Sequence, residues 1–407
     1  MHVIVIGAGV VGVTSAWYLT RDGHEVTVIE AREGVALETS FGNAGGICPG
    51  FAGPWAAPGM PLKALGWLFR ENAPLKIRPR LDAAQWAWLA RFTRNCTSER
   101  YAANKTQMQR VAHFSKACLV DLRAETGIRY DDGTGGILQI FCTDEEAAGG
   151  ARAAHILQDL GVPHRLLTPA EALAVEPSLA RSTVSLSGAL HLPADETGDC
   201  HLFCRDLARL AEAHGCRFLF DSPVSAVLRE GDRVAGVMAG ATRIEADAVV
   251  LATGPWANRL LRPLGLSLPI YPVKGYALTC EITDTEAAPR SSVMDEHSKV
   301  MVTRLGKRLR AAGVAELAGF DPSMRPAVLN GLRDRVAALF PDAADFATAE
   351  FWHGFRPMTP EGASRVERTR LPNLFLNLGH GSNGWTQACG TGRMLADLVA
   401  GRETCLS

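Results

Sequence analysis

Apolar residues run unbroken from Val3 to Ile6, and a second strand-like run, Glu25–Ile29, closes on Glu30. Between them a helical stretch extends through Leu19 to a turn at Asp22-Gly23-His24. Continuous apolar runs of this length are typical of parallel strands buried on both faces, so residues 2–30 predict a βαβ unit. The connecting turn is Gly7-Ala8-Gly9-Val10-Val11-Gly12. In such a turn Gly7 permits the sharp bend, Gly9 lets the backbone approach a pyrophosphate, and Gly12 lets helix and strand pack closely. The helix start then offers unpaired N–H groups and a positive dipole end to phosphate. Glu30 stands where a carboxylate accepts from a ribose 2′-OH, with Ala31 and Arg32 beside it.

The texture changes from Gly42 to Pro79, where Gly, Pro and Ala are frequent and Trp55, Trp67, Leu68 and Phe69 are interspersed. A long loop or broken helix is expected there, and long ordered loops are often functional. Residues 82–126 predict helices, with Trp86, Trp88, Leu89 and Phe92 as an apolar face. Ile128–Cys142 predicts a hairpin about Gly133–Gly136, and residues 144–160 and 169–175 predict helices. A helix over 201–214 leads into strands at 217–220, 224–229 and 233–238. Ala248–Ala252 predicts a buried strand that delivers Thr253 and Gly254 to its C-terminal end, where open α/β sheets bind ligands. Alternation through 268–315 predicts an antiparallel sheet, followed by a helix at 326–339. A last strand, Leu374–Leu378, a glycine-rich turn and a closing helix, Trp385–Val399, complete the pattern.

Composition narrows the function classes. The 407 residues carry 42 basic and 43 acidic side chains, for a net charge of −1. That balance argues against a nucleic-acid partner, whose phosphates need clustered basic groups. Ten cysteines are scattered, with no CxxC pair and no zinc spacing, so no metal is expected. Most read as buried small hydrophobes, with Cys405 the one exposed to oxidation. No leader is readable at the N-terminus, and no apolar window reaches a membrane span.

No GxSxG elbow, HExxH or GxxxxGK[ST] loop is present. A second phosphate-facing element is Glu38–Gly46, where small residues wrap a large ligand and Ser40 and Asn43 offer neutral hydrogen bonds, flanking Ala44 and Gly45. An ordinary Gly-rich loop fits equally well. Gly379-His380-Gly381-Ser382-Asn383-Gly384-Trp385-Thr386 precedes the closing helix, whose N–H groups suit negative charge on a reduced flavin. His380 fits either a hydrogen bond to that ring or a structural turn, and Thr386 a cap hydroxyl. Arg356 lies among apolar neighbours, and a guanidinium grips a carboxylate in two-pronged fashion; a salt bridge or an interdomain hydrogen bond is the alternative. Tyr271 and Tyr276 are candidate helpers, or sheet tyrosines with a wet tip.

These blocks together resemble the FAD-dependent D-amino acid dehydrogenases of the small-subunit type, within the D-amino-acid oxidase and glycine oxidase group. The resemblance rests on Gly7–Gly12, Leu37–Ser40 with Asn43–Gly45, Ala52–Pro61, Leu192–Cys200, Tyr271–Tyr276, Phe355–Pro360 and Asn377–Trp385. It implies an α/β, Rossmann-like FAD-binding domain assembled from residues 1–50, 195–262 and 350–407. A substrate domain on a mostly antiparallel sheet would use residues 51–194 and 263–349. It also implies FAD as cofactor, held by the residues above and by Val224, and oxidation of a D-amino acid to an imino acid that water converts to a 2-oxo acid and ammonia. Hydride would pass from the α-carbon to flavin N5, and electrons onward to a quinone or other carrier. Arg356 would hold the substrate carboxylate with Tyr276 as helper and Tyr271 nearby, and His380 would border the flavin. Rival readings are an oxygen-using oxidase, a cyclic or N-methylated substrate, and a non-catalytic flavin-binding partner protein. A cytoplasmic protein is expected, and Lys63, Arg70, Lys76, Arg78 and Arg80 among the aromatics make residues 51–80 a candidate peripheral contact with the inner face of the membrane, or a lid. The sequence leaves the oligomeric state open. Ala363–Arg368 departs from the family pattern, which has small apolar residues and a glycine there.

Overall fold

Strict alternation in the first strand determines how the flavin-type domain is layered. Val3 and Val5 join one apolar cluster while Ile4 and Ile6 join another, because successive strand side chains point to opposite faces. The first cluster gathers the helices Val10–Arg21, Ser98–Thr126, Cys200–Ala213 and Gly384–Val399 on one side of the sheet. The second lies under a three-stranded meander of Val224–Glu230, Arg233–Ala239 and Thr242–Glu245. The computed structural model describes residues 1–67 and 74–404. The expectations for Leu68, Phe69, Arg70 and Cys405 lie outside the described residues.

The central sheet has six strands, in the order 365–368, 374–378, 248–251, 2–6, 25–29 and 217–219. Its pairs are parallel except for the antiparallel edge pair of Arg365–Arg368 with Leu374–Leu378. Strands 2–6 and 248–251 lie side by side, and their C-terminal ends deliver Gly7 and Thr253 to one rim.

The second sheet has nine strands and mixed pairing. Its long members are Tyr271–Glu281, Arg308–Leu317 and Glu350–Met358. The helix Pro326–Leu339 covers one face through Val328, Leu332, Val336 and Leu339, packed on Leu278, Val302 and Ala311. Two expected boundaries differ. Glu350–Met358, assigned above to the flavin domain, pairs with Tyr271–Glu281 and is an outer strand of the second sheet. The helix Ser98–Thr126, from the opposite assignment, packs Leu119 and Leu122 into the flavin-domain core. The hairpin predicted at 128–142 does not form: Ile137–Phe141 pairs with 188–192 and 292–295, and Gly133 bridges to Thr197. Glycines there made a turn signal, but the partner strands are distant in sequence.

Behind the second sheet lies a buried charge network. Lys274 and Glu316 are both fully buried, with Nζ 3.1 Å from Oε2. Tyr276 donates its hydroxyl to Glu316 at 2.6 Å, and Arg78 donates Nε at 3.0 Å. Lys274 also donates to the carbonyls of Asp321 and Ser323. Burial opposes the Glu316 charge, but the bonds from Tyr276, Arg78 and Lys274 hold its carboxyl below the usual range. Removing one member of such a network leaves an uncompensated buried charge. Glu316→Ala is therefore expected to lower the unfolding free energy by about 3–5 kcal/mol in urea denaturation. A loss below about 1 kcal/mol would show that Lys274 does not depend on this partner.

Candidate active site

One cavity of about 1130 Å³ runs from the Gly7 turn to the inner face of the second sheet. It exceeds the roughly 300–1,000 Å³ of an ordinary small-ligand pocket, which leaves room for a dinucleotide and a small second ligand. At one end Gly7 has φ +102°, and a Cβ there would meet the Ala252 carbonyl oxygen at 2.8 Å. A Cβ on Gly12 would lie 1.8 Å from the Gly7 oxygen, so Gly12 serves close packing and does not line the cavity. The helix Val10–Arg21 has no side-chain cap bond and no acidic residue in its first turn. Its Val10 N–H donates to Ser40 Oγ at 3.1 Å. Gly9 and Val11 border the cavity beside it.

Glu30 accepts from the backbone N–H groups of Ala8 (2.7 Å) and Arg32 (2.9 Å), which fix its carboxylate at the rim. Ala31, Arg32, Val224, Thr253 and Gly254 border the same end. The Thr253 hydroxyl is buried there and has no hydrogen-bond partner among the described residues, which suits a polar group arriving with a ligand.

The loop Glu38–Gly46 is held by a residue that sequence reasoning missed. Arg310, buried on the second sheet, donates to the carbonyls of Phe41 (2.8 Å) and Asn43 (3.2 Å). The Asn43 side chain accepts from Gly45 N–H, and Thr39 donates to the Phe355 carbonyl. Ser40, Asn43 and Ala44 line the cavity, whereas Gly45 (φ +88°) turns the chain behind it, against Leu305 and Thr303. An arginine on a strand carries no sequence mark that separates this role from a surface charge. Asp195 was missed for the same reason. Its carboxyl, buried behind this wall, accepts from Gly50 N–H, and burial pushes it up to about 7.

The turn Gly379–Thr386 closes the middle of the cavity, with Gly381, Ser382, Asn383 and Gly384 at the uncapped start of the closing helix. His380 is buried and its Nε2 shares a hydrogen bond with Thr391 at 3.0 Å; burial pushes its pKa down to about 3, so the ring is neutral. Trp385 and Thr386 line the cavity, but their polar atoms engage the chain. Trp385 Nε1 donates to the Gly198 carbonyl, and Thr386 Oγ1 accepts from Cys48 N–H.

Arg356 occupies the far end. Its guanidinium is part-buried, donates to the Val314 carbonyl at 3.1 Å and lies over the Trp55 ring at 6.0 Å. It has no carboxylate partner among the described residues, so the salt-bridge alternative is not what the structure holds. Burial lowers its pKa to about 10, leaving it cationic at neutral pH. Gly275 makes this seat possible, because a Cβ there would fall 2.3–2.5 Å from the guanidinium atoms.

Two expected helpers are displaced. Arg356 is in register with Val273 and shares its face with Gly275, so alternation sends Tyr276 to the other face. Although Tyr276 borders the cavity, its hydroxyl is spent on Glu316. Tyr271 is not among the lining residues; its hydroxyl lies 3.5 Å from Asp82 at a separate surface cleft. The departure at Ala363–Arg368 also stays outside the cavity: Arg365–Arg368 is the edge strand of the first sheet. Among the described residues no His, Cys, Asp and Glu cluster is arranged to hold a metal.

A family model described as FAD dependent oxidoreductase matches residues 2–398. The chain belongs to the FAD-dependent oxidoreductase family. Its cofactor is FAD, and the unfilled Thr253 hydroxyl, the uncapped helix and the size of the cavity all fit that group. The chain is 48% identical over 403 residues to a D-amino acid dehydrogenase of Bradyrhizobium diazoefficiens, covering 99% of this chain and 96% of that one. Among solved structures it resembles glycine oxidase from Geobacillus kaustophilus, with TM-score 0.76, 25% identity and 100% and 96% of the two chains covered. L-proline dehydrogenase from P. horikoshii gives TM-score 0.73 at 22% identity, over 100% and 95% of the chains, a likeness in fold alone.

The seat of Arg356 in this oxidoreductase can be disturbed without touching the arginine. Gly275→Ala is expected to push the guanidinium aside, leaving the flavin spectrum intact while lowering kcat/KM at least tenfold, mainly through KM. Steady-state kinetics within threefold of wild type would mean that the guanidinium has another resting place.

Proposed function

We propose that this flavoprotein is a D-amino acid dehydrogenase that oxidatively deaminates D-amino acids and passes electrons to a quinone or similar carrier rather than to oxygen. The observation that carries the reading is Arg356: a part-buried cation lining the cavity with no carboxylate partner among the described residues. Identity of 48% to a D-amino acid dehydrogenase over nearly the whole chain supports the same substrate class. When bound, FAD supplies the oxidant that takes hydride from the substrate α-carbon.

In this reading Gly7, Gly9, Val10 and Val11 hold the pyrophosphate. Glu30, Ala31, Arg32 and Val224 take the adenosine end, and the Gly379–Thr386 turn with Ser40, Asn43, Ala44, Thr253 and Gly254 frames the rest of the cofactor. Arg356 fixes the substrate carboxylate in two-pronged fashion. Trp55, over the guanidinium, excludes water from that pair. Burial disfavours the protonated form of His380, whose Nε2 is bonded to Thr391, so this ring is a poor acceptor for the substrate's ammonium proton. The amine must therefore lose its proton to solvent before the carbon is oxidised, and kcat/KM rises with pH toward the amine pKa. The imino acid then hydrolyses in water to the 2-oxo acid and ammonia.

Anaerobic mixing of the holoenzyme with D- and L-amino acids, read at the oxidised flavin band, tests this. D-amino acids are expected to bleach the band, and L-amino acids to leave it unchanged. Arg356→Leu should lower kcat/KM by 30-fold or more, in line with about 2–5 kcal/mol for removing one partner of a buried charged pair. Bleaching by L-amino acids alone, or an Arg356→Leu effect within threefold, sinks the reading. Faster reoxidation by air than by a quinone analogue would transfer it to the oxidases.

The same reading includes a peripheral membrane contact. No helix among the described residues is long and apolar enough to cross a membrane. The helix Met60–Trp67 buries none of its side chains and exposes Leu62 and Leu65; Leu81 is fully exposed and Trp86 half exposed nearby in sequence. Apolar side chains with Lys63 and Arg80 interspersed suit the headgroup boundary. Arg78 is excluded from this role by its bond to Glu316. The double substitution Leu62→Glu and Leu65→Glu is expected to reduce co-sedimentation with anionic vesicles several-fold; an unchanged bound fraction counts against the contact.

A further inference from the structure

The cavity contains another cation without an anion. Of its other basic lining residues, Arg32 pairs with Glu38 and Lys299 with Glu296, while Arg259, which also has no carboxylate partner among the described residues, is exposed and lies over the Phe320 ring. Lys105 has no carboxylate partner among the described residues; its Nζ lies 5.9 Å from the centre of the Tyr101 ring. Tyr101 and Lys105 are four residues apart on the helix Ser98–Thr126 and so share a face, and both line the cavity. Gln109, a further turn along, donates to the Gly50 carbonyl at 3.4 Å, which sets this face against the loop that follows Cys48.

That loop connects Lys105 to Arg356. A Cβ on Gly53 would lie 3.9 Å from Lys105 Cγ, and Trp55, two residues on, covers Arg356. Two residues of extended chain span about 7 Å at most, so Lys105 and Arg356 each lie against one short loop that lines the cavity. Burial lowers the Lys105 pKa, the sign of a cation that has given up water without gaining a partner. The Tyr101 phenol, also lifted by burial, makes no hydrogen bond among the described residues that would compete with a ligand.

We propose that Lys105, with Tyr101, forms a subsite for an anionic substrate side chain, so that the preferred substrates are D-amino acids carrying a second carboxylate. Arg356 takes the α-carboxylate and Lys105 the distal one, and the Tyr101 hydroxyl donates to the same group. A neutral side chain of equal length leaves the ammonium unpaired at a partly dry site, and that difference supplies the discrimination. The inference rests on the dehydrogenase reading above and names the substrate class of that same site.

The test compares D-glutamate, D-aspartate, D-glutamine and D-alanine with holoenzyme of wild type, Lys105→Met and Lys105→Arg, by anaerobic flavin reduction and steady-state kinetics. Wild type is expected to favour D-glutamate or D-aspartate over D-glutamine at least tenfold in kcat/KM, and the better of the two reports the reach of the subsite. Lys105→Met should lower the ratio of kcat/KM for the acidic substrate over D-alanine by 30-fold or more, chiefly through KM, and Lys105→Arg should restore part of it. Glutarate, which cannot be oxidised, should perturb the flavin band at lower concentration than butyrate, and lose that advantage in Lys105→Met. If D-alanine bleaches the flavin but the ratio moves less than threefold, the subsite is overturned and the dehydrogenase reading stands. A parallel loss for all four substrates overturns it too, as a structural role for Lys105. If no D-amino acid bleaches the flavin, both fall.

Discussion

A part-buried guanidinium without a counter-ion among the described residues is the constraint around which the site is built. Desolvation alone lowers the Arg356 pKa to about 10, so the folded chain holds this charge at a cost that only an arriving anion relieves. Holding it still requires a strand position with no side chain, Gly275, a carbonyl to accept from it, Val314, and an aromatic roof, Trp55. The strands supplying the first two are stiffened from behind by Lys274, Glu316 and Tyr276. One face of the sheet pairs Lys274 with Glu316 while the other presents Arg356 with no carboxylate among the described residues. That asymmetry is what lets the same sheet serve as both scaffold and binding wall.

The local patterns were legible wherever neighbours in sequence are neighbours in space. The βαβ unit, the strands 248–251 and 374–378 and the helix Pro326–Leu339 follow from runs of apolar residues and their period. The glycine roles were legible as well: Gly7 bends and Gly12 packs, as the spacing requires. The hairpin at 128–142 failed because Gly133 and Ile137–Phe141 find partners at least 47 residues away, and turn glycines carry no information about them. The domain boundary failed at Glu350–Met358 because an apolar strand reads the same in either sheet.

The two tyrosines illustrate a different limit. Alternation in 271–276 already separates Tyr271 from Tyr276, but it does not say which face meets the cavity. Only the register of Val273 with Arg356 decides that, and register depends on a strand eighty residues further on. Arg310 and Lys105 were illegible for a related reason. Their function arises from what lies across from them, the loop carbonyls of Phe41 and Asn43 in one case and an open cavity in the other.

The chain crosses between its two sheets many times. Glu350–Met358 belongs to the second sheet and Leu374–Leu378 to the first, the helix Ser98–Thr126 packs on the closing helix, and Arg310 reaches over to grip the loop Glu38–Gly46. Two bodies stitched together in this way have no single pivot about which to swing apart. Opening by a clamshell motion would have to break all of these ties at once. Access to the cavity therefore does not depend on the two sheets separating.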